Sequence, residues 1–304
     1  MLKLLLKKLL QGIAMIIVVS AVTFSLLGLA GGDALSELRD NPQISEETIE
    51  RLRTVYGLDQ PLPARYFQWL TKAVIGDLGD STYFRLPVID LILARGVNTF
   101  TLGIAALAIA VIIAFVLAVA NARYKTRVLS ILVDFIVLAT ASSPRIVLAL
   151  LALAISARVA VDSTSPFLFW LAAAALAAPL ISIFLAHLNN ELESTMQEDF
   201  IKLARAKGLT ESVVVLRHAI RAALNPVLTI FGISLGGVLG GSVVVESVLG
   251  RQGLGTLMVS AVRGRDLPLV MGIVLFTSVA VWLGNTLAEA LQAVNDKRMR
   301  DTRL

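Results

Sequence analysis

The feature that most constrains this chain is a set of six apolar windows, each close to or above the ~20 residues that a helix needs to cross a bilayer. They run from Leu9 to Ala30, Val97 to Ala120, Val128 to Ala157, Phe167 to Leu188, Pro226 to Val245 and Leu267 to Ala288. Their apolarity is unbroken, whereas the strands of a membrane barrel alternate in polarity. Hydrophobic residues make up 57% of the chain and charged residues only 16%. The sequence therefore predicts an all-α integral membrane protein with six transmembrane helices.

Basic residues are placed unevenly around these windows, and their placement predicts an orientation. They precede the first window, lie between the second and third, and follow the last, at Lys3, Lys7, Lys8, Arg123, Lys125, Arg127, Lys297, Arg298, Arg300 and Arg303. Cytoplasmic loops carry an excess of Lys and Arg, so we predict that both termini are cytoplasmic. The first window is longer than the apolar core of a secretory signal, and we interpret it as a retained anchor.

This orientation divides the chain into three parts. Residues 1–30 form a cytoplasmic flank and the first transmembrane helix, and residues 31–96 form an external segment. Residues 97–304 form a five-helix core with a cytoplasmic loop at residues 189–225. In the external segment, Ser45 is positioned to cap a helix that begins with Glu46 and Glu47, and Gly57 is positioned to end it. We therefore expect a small helical segment on the outer face of the membrane.

Missing residue types and motifs exclude several kinds of chemistry. The chain has no cysteine and only two histidines, His187 and His218, so we predict no catalytic thiol, no disulfide and no metal site. No GxxxxGK[ST] phosphate loop occurs, so we expect no nucleotide or other cofactor on this chain. The membrane flanks account for the net charge of +5, and nucleic acid is not needed to explain it.

The loop between the fourth and fifth windows contains a predicted short helix. It involves Asp199, Phe200, Leu203, Ala204, Arg205, Lys207 and Gly208. Helical spacing places Phe200, Leu203 and Ala204 on one face, and Gly208 is positioned to end the helix. A short helix with one apolar face and one basic face suits either a groove in a partner protein or an anionic lipid surface. The residues by themselves leave both alternatives open.

Four blocks of sequence resemble one family. ARAKGL followed by RHAIRAALNPV resembles the cytoplasmic loop of the permease subunits of binding-protein-dependent ABC importers, in particular the oligopeptide/dipeptide/nickel permeases. LRTVYGLDQPLPARYFQWL, GDLGDS and GGSVVVESVLGRQGLGTLMVSAVRGRD are similar to other parts of that family, in the same order. The resemblance implies a type I importer permease fold, and it implies that the helix from Asp199 to Gly208 is a coupling helix that docks on an ATPase subunit.

The resemblance also implies partners and a location. The partners are a second homologous permease, one or two ABC ATPase subunits that carry ATP and Mg, and an external solute-binding protein. The location is the inner membrane of a bacterial or archaeal cell, in contact with lipid, and the chain itself is not an enzyme. The sequence departs from the family pattern at AHLNNELES from Ala186 to Ser194, at Gln252, and at Arg145 to Val147 after Pro144.

The fifth window carries overlapping GxxxG spacings. They are formed by Gly232, Gly236 and Gly240, with Gly237 and Gly241 beside them. Small residues at this spacing allow a second helix to approach closely, which predicts a packing seam. In a permease of the family that it resembles, this seam would line the pore or meet the second permease.

Three charged residues fall within the spans or at their ends: Asp134 and Arg145 lie in the third window, and Glu246 directly follows Val245 at the end of the fifth. Such residues are costly in a membrane and are candidates for function. If the third window were one straight helix, Arg145 would lie ~25 Å from its inner end, beside a kink at Pro144. Arg145 would then either pair with a carboxylate of the cargo, reach the membrane surface, or pair with a neighbouring subunit. Glu246 lies at the outer end of its window, within reach of water or a partner, and we assign both Arg145 and Glu246 to a candidate substrate path.

Two other classes of function remain as alternatives. GISLG around Ser234 matches the nucleophile pattern of hydrolases, but that pattern requires a turn between a strand and a helix. A secondary transporter would need a relay of acids near the middle of the membrane, and the spans supply only Asp134 and, at the end of the fifth span, Glu246. We therefore predict half of the translocation pathway of an ATP-driven importer for peptides or related small solutes. The exact cargo does not follow from the sequence.

Overall fold

The computed structural model describes residues 2–29, 45–55, 57–159 and 165–295. Within these ranges the chain is almost entirely helical, and its extended pairing is limited to an isolated bridge between Asp80 and Pro87. The helices are α1 (Leu2–Leu29), α2 (Glu46–Val55), α3 (Leu62–Val74), α4 (Val88–Tyr124), α5 (Arg127–Ser142), α6 (Arg145–Arg158), α7 (Pro166–Thr195), α8 (Asp199–Ala206), α9 (Glu211–Val213), α10 (Ile220–Val248), α11 (Leu254–Arg263) and α12 (Leu267–Asn295). A π-helical segment, Val214–Ala219, joins α9 to α10. The predicted all-α membrane fold is confirmed.

Five of the described helices are long and apolar enough to cross a membrane by themselves, namely α1, α4, α7, α10 and α12. A sixth crossing is available if α5 and α6 together count as one bent span. The helices extend past the predicted windows, and α4 begins at Val88 rather than at Val97. Val88 and Ile92 are fully buried, so helical packing continues through residues that a search for uninterrupted apolarity leaves out. The basic residues at 297–303 and Ala30 lie outside the described residues.

The third predicted window, Val128 to Ala157, forms two helices and not one helix kinked at Pro144, because the chain breaks between α5 and α6. The two helices meet at an angle of 95°. Ser143 is extended, with φ −86° and ψ 114°, as is usual for a residue before proline. Pro144 has no N–H with which to continue the hydrogen bonding of α5. The depth of ~25 Å for Arg145 assumed a straight helix, so that value does not hold.

The described residues form two compact units. The first takes its residues from Met1–Asn98 and Gln252–Ala280, and the second from Thr99–Arg251 and Val281–Leu304. In the first unit α1 contacts α3, and Phe24, Trp69 and Met271 form a buried cluster there. The Tyr66 ring lies 5.5 Å from the Phe24 ring, and the hydroxyls of Tyr66 and Ser20 are 2.9 Å apart. Aromatic packing and this hydrogen bond therefore hold α3 on α1.

The predicted external helix is present as α2 in the first unit. Thr48 donates its backbone N–H to the Ser45 hydroxyl at 3.3 Å, so Ser45 caps the helix as predicted. Gly57 follows the helix with φ +63°, a conformation that favours glycine.

A buried carboxylate organises another part of the first unit. Asp266, which precedes α12, is fully buried and accepts hydrogen bonds from the Ser81 hydroxyl, the Tyr83 N–H and the Leu269 N–H. These three donors satisfy the carboxylate, which would otherwise be costly to bury. They also attach the turn at residues 80–87 to the start of α12.

The second unit is built around α7. This helix contacts α5, α6 and α10, and many of its residues are buried. Its sequence is rich in alanine, and Ala172, Ala173 and Ala177 are fully buried. Small side chains let neighbouring helices approach α7 closely. The core of this unit continues through Leu185 and Leu192 toward the segment that contains α8.

Candidate functional site

A short helix, α8, is present where the sequence predicts the coupling helix. It begins at Asp199, its last helical residue is Ala206, and Lys207 is its C-cap. Gly208 has φ +77°, and a Cβ atom built at this position would have no other atom within 4 Å. Glycine is favoured here by its backbone conformation and not by lack of space.

The two sides of α8 differ in their surroundings. Ile201 is fully buried and Ala204 is 6% exposed, and both belong to the core of the second unit. Phe200 is 44% exposed and Leu203 is 57% exposed. Phe200 and Leu203 are therefore available to another molecule, but Ala204 is not, so the three residues that the sequence places on one face do not share one environment. Ile201, which sequence reasoning passed over, anchors α8 together with Ala204.

An ion pair ties α8 to the segment that follows it. The Arg205 guanidinium donates two hydrogen bonds to the Glu211 carboxylate, at 2.7 and 3.2 Å. The hydrogen bonds from Arg205 lower the pKa of Glu211, and the hydrogen bonds to Glu211 raise the pKa of Arg205. Each side chain is more than one third exposed, so solvent screens the pair. Its main effect is to fix the position of α8 relative to α9, so Arg205 is bound within its own chain.

The return from α9 to α10 is a π-helical segment, Val214–Ala219. Val214, Val215 and Ala219 are fully buried, whereas Leu216 is 54% exposed. A π-turn widens the helix locally and often occurs at functional sites. The buried residues connect α8 and the π-helical segment to the same hydrophobic core.

The five predicted seam glycines have different surroundings. A Cβ atom at Gly232 would lie 2.8 Å from Ala288 Cβ, and one at Gly236 would lie 3.5 Å from Val281, so both glycines pack against α12. Gly237 and Gly240 would meet nothing within 4 Å. The seam between α10 and α12 therefore uses only part of the glycine pattern.

The fifth glycine of the pattern, Gly241, packs against Arg145. A Cβ atom at Gly241 would lie 3.0 Å from Nη1 of Arg145. The absence of a side chain at Gly241 therefore leaves room for the guanidinium. Arg145 is the first residue of α6, directly after the break, and is half-buried.

Glu246 does not reach water, which is one of the two environments that the sequence predicts for it. It is 1% exposed, and the Thr99 hydroxyl donates a hydrogen bond to its carboxylate at 2.6 Å. Arg251 lies nearby, with its guanidinium 5.3 Å from the centre of the Phe169 ring. Burial lowers the pKa of Arg251, and the charge of Glu246 opposes that effect. Thr99, Glu246 and Arg251 thus form a polar cluster inside the second unit.

The remaining candidate residues do not form a catalytic or metal site. Ser234 lies inside α10 and is buried, so the strand-to-helix turn of a hydrolase is not present there. His187 contacts the Ile183 carbonyl of its own helix at 2.8 Å. Asp134 is exposed on α5. Among the described residues, no group of three or more His, Cys, Asp and Glu side chains is arranged to hold a metal ion.

Comparison with known proteins assigns the chain to a family. A model described as "Binding-protein-dependent transport system inner membrane component" matches residues 110–301. A model of the N-terminal part of such membrane components matches residues 1–90. The chain belongs to the binding-protein-dependent transport permeases. It is a permease subunit of an ABC importer and a multi-pass protein of the inner membrane.

Similar permeases are found in several bacteria. A protein of Brucella suis named as a peptide permease is 34% identical, over 99% of this chain and 100% of its own length. A glutathione transport system permease protein of Escherichia coli is 32% identical, over 99% of each chain. A solved structure of the MetNI methionine ABC transporter, in inward-facing conformations, matches with a TM-score of 0.52 at 19% identity. That match covers 69% of this permease and 94% of the other chain, and it shows the type I permease fold.

Proposed function

We propose that this permease forms one half of a transmembrane path and couples that path to ATPase subunits through α8. The observation that carries the proposal is the two-sided environment of α8. Ile201 and Ala204 fix the helix in the core of the second unit, while Phe200 and Leu203 remain exposed. An apolar pair presented on a fixed helix suits a groove in a partner protein.

The same anchoring supplies a route for mechanical coupling. In the proposed mechanism, ATP and Mg bind to the partner ATPase subunits, and closure of the ATPase pair displaces α8. Ile201, the Arg205–Glu211 pair and the buried valines of the π-helical segment then pass the displacement into the core around α7. Rigid packed elements can switch a path between two arrangements in this way. A second homologous permease encloses the other half of the path, and an external solute-binding protein delivers cargo.

Peptides and glutathione-like compounds are the proposed cargo. Relatives similar over almost the whole chain are named for peptide or glutathione transport. Both kinds of solute carry carboxylates, and Arg145 has a guanidinium at the break between α5 and α6 that could pair with one. Glu246 is buried against Thr99, so Arg145 is the stronger candidate for contact with cargo.

The docking assignment can be tested with a double variant, Phe200→Ser and Leu203→Ser. The assembled importer would be purified through a tag on this permease and reconstituted with its binding protein in vesicles. We expect the variant to lose ATPase subunits on purification and to lose most of the ATP-dependent uptake of labelled glutathione or dipeptide. Both side chains are exposed, so folding of the permease should be retained.

A matched control is available in the first unit. Val74 and Ile75 are 79% and 81% exposed, and Val74→Ser with Ile75→Ser removes a similar exposed apolar pair. This control should keep the ATPase subunits and uptake. Normal uptake by the α8 variant would overturn the docking assignment. Uptake driven by an ion gradient without ATP would instead favour the secondary transporter.

A further inference from the structure

A cavity of about 500 Å³ lies within the first unit, among α1, α3 and the start of α12. Phe24 and Leu27 of α1 and Leu267 of α12 give it apolar walls. Its volume falls within the range of small-molecule sites, ~300–1,000 Å³. Since α1 and α12 are candidate membrane spans, this apolar wall continues the surface of two spans.

Two hydrogen-bond donors in the cavity lining have no partner. They are the indole Nε1 of Trp69 and the hydroxyl of Thr82, and both atoms are buried within the described part of the chain. Trp69 is only 9% exposed. Its stacking neighbour Tyr66 has a hydroxyl that is satisfied by Ser20. Buried indole N–H groups usually find an acceptor, so an acceptor from another molecule is expected here.

The charges around the cavity favour an anion. Arg65, Lys72 and Arg265 line it, together with the acids Asp77 and Asp266. Asp266 is fully buried and accepts three hydrogen bonds from its own chain, so it is already satisfied. Lys72 is exposed, so its ammonium group is available to a ligand. Three cations and two acids give the lining one excess positive charge, and Lys72 is an exposed cation of that set.

We propose that this cavity binds an anionic phospholipid. Oxygens of the lipid head group and ester linkages accept hydrogen bonds from Trp69 and Thr82, the phosphate charge lies near Lys72, and an acyl chain follows the apolar wall at Leu27. A free phosphate ester offers the same acceptor oxygens but has nothing to place against that wall. Lipid is therefore the source that fits both the donors and the apolar surface. This inference does not depend on the coupling role of α8.

The fluorescence of Trp69 can report the binding of a lipid in the cavity. The chain has three tryptophans, so Trp170→Phe with Trp282→Phe leaves Trp69 as the single fluorophore. The full chain would be placed in lipid nanodiscs that contain small amounts of phosphatidylglycerol or phosphatidylcholine with brominated acyl chains, which quench fluorescence at short range. We expect half-maximal quenching at an anionic lipid fraction about fivefold lower than for the zwitterionic lipid.

Variants of exposed cations complete the test. Lys72→Gln should remove most of the preference for phosphatidylglycerol, whereas Arg53→Gln, an exposed cation of α2 outside the cavity lining, should keep it. Equal quenching by the two lipids would overturn the proposal, and so would an unchanged preference in Lys72→Gln. Loss of the preference on addition of millimolar inorganic phosphate would overturn the lipid assignment in favour of a soluble phosphate group.

Discussion

At the scale of single residues, the glycines of α10 show that positions of one sequence pattern can differ in how closely they pack. A Cβ atom at Gly232 would lie 2.8 Å from Ala288 Cβ, which is attached directly to the backbone of α12 and has no rotamer with which to move away. A Cβ atom at Gly237 would have no neighbour within 4 Å. The two positions belong to the same glycine-rich run, so only their surroundings distinguish them.

We predict that Gly232→Ala lowers the free energy of unfolding by ~1–3 kcal/mol, because α10 and α12 must move apart to admit the methyl group. Gly237→Ala should leave the free energy of unfolding unchanged or raise it by up to ~1 kcal/mol, because alanine is the better helix former. Unfolding of the purified permease by a denaturing detergent, followed by circular dichroism, measures both. Similar decreases in the free energy of unfolding for the two variants would contradict the close packing of α10 against α12 at Gly232.

At the scale of elements, the break between α5 and α6 is a stretch of non-helical backbone between two apolar helices. Non-helical backbone is tolerated at membrane depth only where protein buries it or a water-filled cavity reaches it. Ser142 and Pro144 are exposed in the isolated chain, so the chain itself does not bury the break. Water, or a wet interface with a second permease, should therefore reach it.

Cysteine labelling can detect that water, because the natural chain has no cysteine. We predict that Ser142→Cys reacts with a membrane-impermeant thiol reagent at least about tenfold faster than Leu138→Cys, since only a hydrated thiol ionises readily. Leu138 is 68% exposed on α5 among apolar side chains and serves as the matched control. Equal and slow labelling at both positions would mean that the break is sealed from water in the assembled importer.

The sequence predicts helices well but says less about which of their faces are buried. The six windows locate the helices that can span the membrane in the described part of the chain, because apolar length is a local property. The burial of Ile201 and the exposure of Leu203 are not local, because a helix of 8 residues has apolar side chains on both sides and only the fold decides which side meets the core. Likewise, Glu246 is satisfied by Thr99, far away in sequence. The proline predicted a kink, but the angle of 95° depends on how α5 and α6 each pack against α7.

At the scale of the whole molecule, the pair of helices α5 and α6, called here the bent pair, decides how many times the chain crosses the membrane. If α5 and α6 cross the membrane as one span, the chain crosses six times, and α3 and α8 lie on opposite sides of the membrane. If the pair is instead a re-entrant loop, the chain crosses five times, and α8 lies on the same side as α3. A coupling helix in the cytoplasm and a helical segment outside therefore require the bent pair to cross. The basic residues that follow the last window, Lys297, Arg298, Arg300 and Arg303, favour that arrangement, because only six crossings place them on the same side as the basic residues before the first window.

We predict opposite labelling of two exposed positions, Thr71→Cys on α3 and Thr210→Cys directly before α9. With an impermeant thiol reagent, Thr71→Cys should react in intact spheroplasts and Thr210→Cys only in inverted membrane vesicles. The wild type has no cysteine and gives the background in both preparations. If both positions react from the same side, the bent pair does not cross, and α8 and the external segment cannot face different compartments. If the pattern is opposite but reversed, six crossings stand, and α8 faces away from the ATP of the cytoplasm, which would remove the basis for the coupling proposal.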